Sequence, residues 1–368
     1  MQTIERDGFT KEQIIAALHA PNRRLDFRYE LHDKNSNKKK NLTTVLSASV
    51  DHQSMATIKR TAKFTIKEDL DIDYLSDRIK PFVRLYMLNT WVEFSMGVFL
   101  LSSPKKKEEN GIVIREIEAF DGLVILQEDK FIERYSIAAG TPYNQAIVTL
   151  LLSAGIKTYN IQSSTKTLPI DMEFELGTTK LDAINSLLDA INYEPLHVDV
   201  NGYFISQQYR SPSLKTPEYY YLTNSESVTY GGMTEELDLF NVPNKWIAYI
   251  SNAQQEPLRA VYENNSPANP TSIPNRGRVI VDARAVDNIA DQQSLNDYVE
   301  RIAIEASQVY GYVEFETAVM PFHDYADVYE IDFDDIETKG LYSETSWSLP
   351  LEVGGRMKHS VRRVVSIA

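Results

Sequence analysis

The chain has 368 residues, of which 43% are hydrophobic and 24% are charged, so it can form about two to four modules with buried cores and is not a disordered chain. Its 52 acidic and 38 basic residues leave a formal net charge of −14, which argues against a protein that wraps DNA or lies on anionic lipid. The absence of cysteine excludes disulfides, thiolate zinc sites and cysteine nucleophiles.

The sequence carries no segment that predicts export or membrane insertion. Its first residues are polar, and no apolar run approaches the ~20 residues that a membrane helix needs. We therefore expect a protein that is made in the cytoplasm and has no stable membrane association.

A short helical arm and a β-rich block make up the first third of the chain. Residues 10–13 (Thr-Lys-Glu-Gln) form a capping box, which predicts a helix within an arm of residues 1–22. Strict alternation of apolar and polar residues at 25–32 indicates a half-buried strand, and a first β-barrel domain is predicted at residues 23–134. Its predicted strands are Leu25–His32, Leu42–Val50, Thr61–Lys67, Phe82–Leu88, Trp91–Leu101 and, after the Asn110-Gly111 turn, Ile112–Phe120.

The middle of the chain, residues 135–211, has a different pattern. Thr141-Pro142 is typical of a helix N-terminus, and that helix is expected to end near Gly155. A second helix after Gly177 has leucine and isoleucine at helical spacing, and a hairpin around residues 201–202 follows it. Two helices and a hairpin predict a small α/β insert domain.

Strand patterns return at residue 212 and predict a second β-barrel domain at residues 212–368. A Pro/Asn/Ser-rich stretch at 264–275 is predicted to be a loop. One long helix is predicted at about residues 291–310, capped by Asp291 or Ser294. The fold class is thus mainly β, with two tube-type β-barrel domains and a small α/β insert. The other predicted strands are Tyr219–Thr223, Val228–Tyr230, Trp246–Ser251, Arg278–Ala283 and several within residues 312–368.

No catalytic, nucleotide-binding or metal-binding pattern is found. Motifs for phosphate loops, dinucleotide binding, serine hydrolases and HExxH metalloproteases are absent. Paired carboxylates for glycoside cleavage stay open among 52 acidic residues, but nothing singles out a pair. We therefore predict no enzyme activity, no cofactor and no bound metal. The six histidines lack ligand spacing and are expected at ordinary surface or strand positions: His19, His32, His52, His197, His323 and His359.

Two lysine runs, Lys38–Lys40 and Lys105–Lys107, lie between predicted strands. Solvated hairpin tips are the simpler interpretation. The functional interpretation is that these runs contact an acidic neighbouring subunit.

The acidic segment at residues 324–337 has a regular alternation. It lacks the glycine and the distal glutamate of a calcium loop. An exposed strand face is the simpler interpretation of its acidic positions. The functional hypothesis is a channel lining past which DNA slides, because carboxylates repel phosphate. The alternating residues are Tyr329, Ile331 and Phe333 on one face and Glu330, Asp332 and Asp334 on the other.

Several segments occur in an order that is typical of one known family. Residues 58–66 (Ile-Lys-Arg-Thr-Ala-Lys-Phe-Thr-Ile) are followed by Ile72–Pro81 and Trp91–Pro104. Ala119–Leu123 comes next, then Gly140-Thr141-Pro142, and later Leu239–Asn244 with Trp246. In this order the segments resemble tail hub proteins (baseplate hub or tail-tip proteins) from phages and prophages of Gram-positive bacteria.

The resemblance extends from about residue 25 to residue 368. It implies a hub-like architecture and a trimeric ring at the distal end of a tail tube, in which the two barrels of each subunit alternate around the ring. The expected location is the tail tip of the virion, after synthesis in the cytoplasm of the host bacterium. The expected partners are further copies of the chain as a homotrimer, a tail-tube or distal tail protein, a tip/spike or tail-fibre protein, and DNA in transit.

Two functions stay open at this point. The first is a structural hub that joins the tube to the tip or baseplate and lets DNA pass. The alternative is a carbohydrate- or receptor-binding module of the tail tip, which would bind through exposed tyrosines such as Tyr219, Tyr220 and Tyr221.

Overall fold

Antiparallel β-strands dominate the structure, as the alternating sequence pattern predicts. This computed structural model describes residues 1–223, 227–250, 257–286, 288–308 and 311–365. Strands hold 43% of the residues and helices 18%, so the mainly β class is confirmed. Within these ranges, no helix is long and apolar enough to cross a membrane.

The first β block comprises the strands between residues 25 and 120. The predicted capping box opens the helix before it, since the Thr10 amide donates to Gln13 Oε1 at 3.0 Å and the Gln13 amide donates to Thr10 Oγ1 at 3.4 Å. The elements are α1 (Lys11–His19), β1 (Leu25–His32), β2 (Lys38–Leu42), β3 (Val45–Gln53), β4 (Arg60–Lys67), β5 (Arg78–Met87), β6 (Thr90–Ser95), β7 (Phe99–Leu101), β8 (Lys105–Glu109) and β9 (Ile112–Phe120).

Both lysine runs lie in strands, so the prediction that they are hairpin tips is wrong. Lys38–Lys40 belongs to β2, which pairs with β1, and Lys105–Lys107 belongs to β8, which pairs with β9. Each is the last strand on its side of the sheet. Long lysine side chains are tolerated there because they reach solvent and nearby carboxylates.

The single strand predicted at residues 91–101 is divided into β6 and β7. Gly97 lies between them with φ of +130°, a conformation that favours glycine. A Cβ atom at this position would lie 2.9 Å from the Phe99 ring and 3.0 Å from Arg60 Cδ. The alternation of apolar residues continues across the break, which is why the sequence pattern did not reveal it.

The insert contains both predicted helices and has its own core. Leucines and isoleucines of α3 and α4 pack together in it, including Leu150, Ile184 and Leu187. The strands form two small sheets, β10–β12 and β11–β14–β13. The elements are α2 (Leu123–Glu128), β10 (Tyr135–Ile137), α3 (Tyr143–Ser153), β11 (Tyr159–Ile161), β12 (Met172–Phe174), α4 (Lys180–Asp189), β13 (His197–Val198) and β14 (Phe204–Ser206).

The C-terminal part is also β-rich and contains the predicted long helix. This helix is capped by Asp291, whose Oδ1 accepts from the Ser294 amide at 2.7 Å. Residues 251, 309–310 and 366–368 of the predicted elements lie outside the described ranges. The elements are β15 (Tyr219–Leu222), β16 (Thr229–Leu237), β17 (Lys245–Ile250), β18 (Arg259–Glu263), α5 (Ile273–Arg276), β19 (Val281–Val286), α6 (Gln292–Gln308), β20 (Gly311–Ala318), β21 (Val328–Phe333), β22 (Thr338–Pro350) and β23 (Arg356–Arg363).

One large sheet joins the first β block to the strands of the C-terminal part. The link is the antiparallel pairing of β22 with β3, in which Trp347 is opposite His52. We call β15, β16 and β20–β23 the second β block. The path of hydrogen-bonded strands is β16-β20-β23-β22-β3-β4-β9-β7-β5-β1-β2, with β21 and β15 branching from β22, β8 from β9 and β6 from β5.

The described residues form three hydrophobic cores. The first is shared by the two β blocks, since Phe64 and Phe94 belong to the same cluster as Phe315 and Tyr329. The second is that of the insert. The third lies between α6 and the sheet β18–β17–β19, centred on Trp246. The two β blocks are therefore one packed unit, to which two smaller units are attached.

Candidate functional site

The sheet that joins the two β blocks contains a run of eight strands with two free edges. The order is β16-β20-β23-β22-β3-β4-β9-β8, and all seven pairings are antiparallel. Within the described ranges, β16 pairs only with β20, and β8 pairs only with β9. Unpaired edge strands present free backbone donors and acceptors to another chain.

The N-terminal end of β8 is basic and the C-terminal end of β16 is acidic, and these charges lie on the same face of the sheet; β8 itself ends in Glu108 and Glu109. All residues of β8 are exposed, and its Lys105 and Lys107 share a face with Glu116, because Lys105 is opposite Glu116. The Lys107 ammonium contacts the Glu116 carboxylate. In β16, Glu236 is exposed and shares a face with Thr234, which is opposite Glu314.

The outer face of this sheet between the two edges is polar, with short side chains beside the longer, charged Lys63, Glu316 and Lys358. Among the short side chains, Ser360 is opposite Ser346, Ser348 is opposite Asp51, and Asp51 is opposite Thr61. They line a shallow groove of about 570 Å³ that crosses the junction of the two blocks. The buried face of the same strands carries the shared core, so this polar face is the outer one.

The three acidic residues singled out from the sequence lie on a different part of the sheet. The alternation is confirmed for β21, where Tyr329, Ile331 and Phe333 are buried. Asp334 is in the 3₁₀ turn after the strand, and its amide donates to Thr223 Oγ1 at 2.9 Å.

One of these acidic residues is already paired within the chain. Asp332 is opposite Lys339 in β22, and their side chains form an ion pair. Glu330, the other acidic residue of the strand, is half-buried. The predicted row is therefore partly neutralised, and only its position on the outer face agrees with the hypothesis.

The tyrosine triplet does not form the exposed patch that the alternative function needs. Tyr219 and Tyr221 are buried in β15, with exposed fractions of 4% and 1%, and only Tyr220 faces solvent. Alternation along a strand with one buried face explains the division. A glycan-binding site made of all three rings is therefore excluded.

A buried polar cluster lies inside the second β block. His323 precedes β21, Glu344 is in β22 and His359 is in β23, and each is at most 1% exposed. Nδ1 of His359 is 2.6 Å from Glu344 Oε1, and Nδ1 of His323 is 2.8 Å from Glu344 Oε2. Asp327 adds a second carboxylate, with Oδ2 at 3.3 Å from His323 Nδ1.

Hydroxyl groups hold the opposite nitrogen of each imidazole. The Tyr221 hydroxyl is 2.6 Å from His323 Nε2, and Thr317 Oγ1 is 2.9 Å from His359 Nε2. The Tyr329 hydroxyl donates to Glu344 Oε1 at 3.1 Å. Both imidazoles are therefore fixed with Nδ1 directed at the glutamate.

The protonation states of the side chains in this cluster depend on one another. Burial favours the neutral form of Glu344, but the imidazoles of His323 and His359 outweigh this effect and bring the pKa of Glu344 to about 2. Burial lowers the pKa of His323, whereas the carboxylates of Glu344 and Asp327 raise it, with a net result of about 9. Burial lowers the pKa of His359. In the absence of a metal ion, one proton on His323 therefore balances Glu344.

Four of the six histidines are buried. Three of them, His52, His197 and His359, lie in strands as expected, whereas His323 is in the buried segment before β21, so the expectation of a surface or strand position is wrong for His323. His52 and His197 both face the ring of Tyr325, with centroids 6.1 and 4.1 Å away. Linear spacing did not reveal the grouping of His323 and His359 because their contacts run across strands. One signal was present, since Met357, His359 and Val361 alternate on the buried face of β23.

Comparison with known proteins identifies the fold. No protein-family model and no curated protein matches the sequence. Three solved structures are similar over 92% of this chain. The tail protein from Neisseria meningitidis MC58 has a TM-score of 0.65 at 10% identity, with 96% of its own chain covered. The 43 kDa tail protein of prophage MuSo2 from Shewanella oneidensis has a TM-score of 0.61 at 9% identity, with 98% of its own chain covered. The prophage tail protein gp18 from Listeria monocytogenes EGD-e has a TM-score of 0.58 at 11% identity, with 96% of its own chain covered.

These similarities confirm that the chain has the fold of phage and prophage tail proteins. At about 10% identity they establish the fold alone. The origin in a phage of Gram-positive bacteria stays a prediction.

Proposed function

We propose that this chain is a structural hub protein at the distal end of a phage-like tail tube, where it forms a ring that joins the tube to the tip or baseplate. The fold it shares with tail proteins supports a structural role in a tail. The proposal includes residence in the tail tip of the virion and no enzymatic activity. The observation that carries it is the eight-stranded sheet with two free edges, one with a basic end and the other with an acidic end.

The eight strands of this sheet alternate in direction, so its first and last strands run in opposite directions. This arrangement suits head-to-tail assembly of several copies. Because all seven pairings are antiparallel, β8 of one copy and β16 of the next would also run antiparallel and continue the sheet. The lysine end of β8 would then be set against the glutamate end of β16. Such a heterologous contact closes into a ring when the rotation between copies closes.

We propose three copies in the ring, with the first and second β blocks alternating around it. The proposal keeps the domain boundaries predicted from the sequence, which lie between residues 22 and 23, 134 and 135, and 211 and 212. The two blocks share one sheet and one core, which keeps them at a fixed angle to each other. The flat ends of the ring would contact a tail-tube or distal tail protein on one side and a tip/spike or tail-fibre protein on the other.

Two polar surfaces are candidates for the wall past which DNA would slide. One is the acidic row of Glu330, Asp332 and Asp334. The other is the polar outer face of the eight-stranded sheet, where serines and threonines lie beside lysine and glutamate side chains. Replacing the three acidic residues by lysine tests the first. If DNA ejection from assembled particles is unaffected, the acidic row does not line the channel.

The mass of the purified protein in dilute solution tests the ring itself. We expect mass photometry across a concentration series to show a species near three times the 42.0 kDa of the chain, either alone or after neighbouring tail proteins are added. Imaging of that species should show a central channel. A chain that stays monomeric at every concentration, with the neighbouring proteins present, would contradict the proposal.

A further inference from the structure

We infer that the buried cluster of His323, Glu344, His359 and Asp327 is a structural metal site for a first-row divalent cation, with zinc the ion expected. Ligand atoms of the first three residues all lie within 4.8 Å of one another, and each residue is buried. Two imidazole nitrogens with carboxylate oxygens form a common zinc ligand set. Among the described residues, this group is the one that brings three such side chains together.

Unsatisfied polar atoms point into the cluster. His323 Nδ1 and Glu344 Oε2 are buried and have no hydrogen-bond partner, whereas the buried Asp327 Oδ1 contacts the Met1 amine. The 2.8 Å contact between His323 Nδ1 and Glu344 Oε2 is close, but it lacks the geometry of a hydrogen bond. Buried polar atoms normally have a partner, so an imidazole nitrogen and a carboxylate oxygen that face each other in this way leave a position for a cation between them.

The outer contacts of the two imidazoles are those of metal-bound histidine. A ligating imidazole usually donates its second N–H to an oxygen, which fixes the ring. Tyr221 supplies that oxygen to Nε2 of His323, and Thr317 supplies it to Nε2 of His359. Thr317 Oγ1 also donates to the Ala318 carbonyl at 2.8 Å, which leaves the hydroxyl oxygen free to accept from His359. In the metal-bound form, His359 with its proton on Nε2 would present the lone pair of Nδ1 to the ion; without the ion, Nδ1 is hydrogen-bonded to Glu344 Oε1 at 2.6 Å.

The charge around the cluster favours a cation. Beyond Glu344 and Asp327, the nearby carboxylates are Glu218, whose Oε1 is 3.4 Å from the Met1 amine, and Asp324, whose Oδ1 is 2.6 Å from Arg60 Nη2. The Met1 amine also contacts Asp327. Glu218 is partly exposed, with 42% of its side chain accessible, so three carboxylates face two cations in the buried part of the cluster. With both imidazoles neutral, one negative charge is left uncompensated, which is costly in a buried setting and is offset either by a proton on His323 or by a bound cation.

The site would tie together parts of the second β block that are distant in sequence. Its residues come from the segment before β21, from β22 and from β23. A closed site without an open coordination position is typical of a structural ion. Binding would therefore favour the folded state and raise the midpoint of thermal unfolding.

Measuring the metal bound per chain tests this inference directly. The result does not depend on whether the chain forms a ring. The full chain, purified without a metal-affinity tag, is unfolded in guanidinium chloride and refolded with zinc or with a chelator. Excess metal is removed, and the metal per chain is measured by mass spectrometry. We expect about one zinc per chain after refolding with zinc and a higher unfolding midpoint than after refolding with chelator. Refolding with Co²⁺ should give the visible absorption bands of a tetrahedral ion.

Matched variants locate the ion. His359→Gln and Glu344→Gln should lose the bound zinc, whereas His197→Gln, at a buried histidine outside the cluster, should keep it. Wild-type protein without bound metal or cobalt bands after refolding would overturn the inference, and the cluster would then be a proton-balanced ion pair. This outcome rests on wild-type protein and is decisive even if a variant does not fold. Equal zinc content in all three variants would also overturn it.

Discussion

At the scale of single residues, the break between β6 and β7 depends on Gly97. Its φ of +130° and the 2.9 Å approach of a Cβ atom to the Phe99 ring both disfavour any side chain. Gly111 offers a matched comparison, because its φ of +78° is also positive but no atom lies within 4 Å of its Cβ position.

We therefore expect Gly97→Ala to lower the free energy of unfolding by about 3–4 kcal/mol, from backbone strain and overpacking together. Gly111→Ala should cost about 1–2 kcal/mol, from backbone strain alone. Chemical denaturation of both variants measures the difference. Equal losses would show that the Phe99 and Arg60 side chains move away at little cost.

A second residue-scale prediction concerns Glu30 in β1. Its Oε1 accepts from Lys38 Nζ at 2.6 Å, its Oε2 contacts His32 Nε2 at 2.9 Å, and Arg28 also pairs with it. Burial raises the pKa of Glu30, but these three partners outweigh burial and lower the pKa from the ordinary 4.5 to about 2.

A depressed carboxyl pKa stabilises the fold above the unfolded pKa and loses that contribution as the pH falls through the folded pKa. Between about pH 4.5 and pH 2, wild-type protein should therefore lose thermal stability more steeply than Glu30→Gln. Melting temperatures measured at several pH values in this range give the comparison. Glu133→Gln, at an exposed position, is the control and should follow the wild type.

At the scale of elements, β8 and β16 determine whether copies can join. Lys105, Lys107 and Glu236 lie on the same outer face of the sheet, so they would meet across an antiparallel β8–β16 contact. Cross-strand pairs of opposite charge contribute roughly 0.2–1 kcal/mol each, and like charges oppose pairing by a similar amount.

We expect Lys105→Glu combined with Lys107→Glu to raise the concentration needed for ring formation by about tenfold or more. Adding Glu236→Lys to this variant should restore part of the loss. Lys34→Glu with Lys157→Glu, at exposed positions outside both edges, is the control of equal charge. Mass photometry reports the fraction of rings. If the control weakens the ring as much as the β8 variant, net charge rather than edge pairing is responsible.

At the scale of the whole molecule, the pairing of β22 with β3 makes the two β blocks one unit. Trp347 lies at this junction, 2% exposed and stacked on His52 with ring centroids 5.6 Å apart. Its core cluster includes residues of both blocks, whereas the insert has a separate core. A destabilising substitution at the junction should therefore lower the stability of both β blocks and leave the stability of the insert unchanged.

Trp347→Ala is expected to cost about 3–5 kcal/mol through the cavity it leaves. Hydrogen exchange measured by mass spectrometry should then be faster in both β3 and β22, while α3 and α4 of the insert keep their protection. Trp91→Ala, at a half-exposed position against Tyr86, is the control. Faster exchange in the second β block alone would contradict a shared folding unit.

The sequence by itself determined the features that depend on neighbours along the chain. The capping box of α1, the helices α3, α4 and α6 and the alternation of β1 and β21 all follow from local spacing and local hydrogen bonds. The order of segments also led to the tail-protein fold that the solved structures confirm.

Only the tertiary structure decided what depends on pairing between distant strands. Strands β2 and β8 are lysine-rich and polar, and partners fix them as strands where their own residues do not predict it. The β22–β3 link joins residues about 300 positions apart, and the histidine–carboxylate cluster collects its members from three places in the chain. A one-dimensional pattern reports which face of a strand is buried. It does not report which strand lies beside it, because that choice is made by the packing of the whole core.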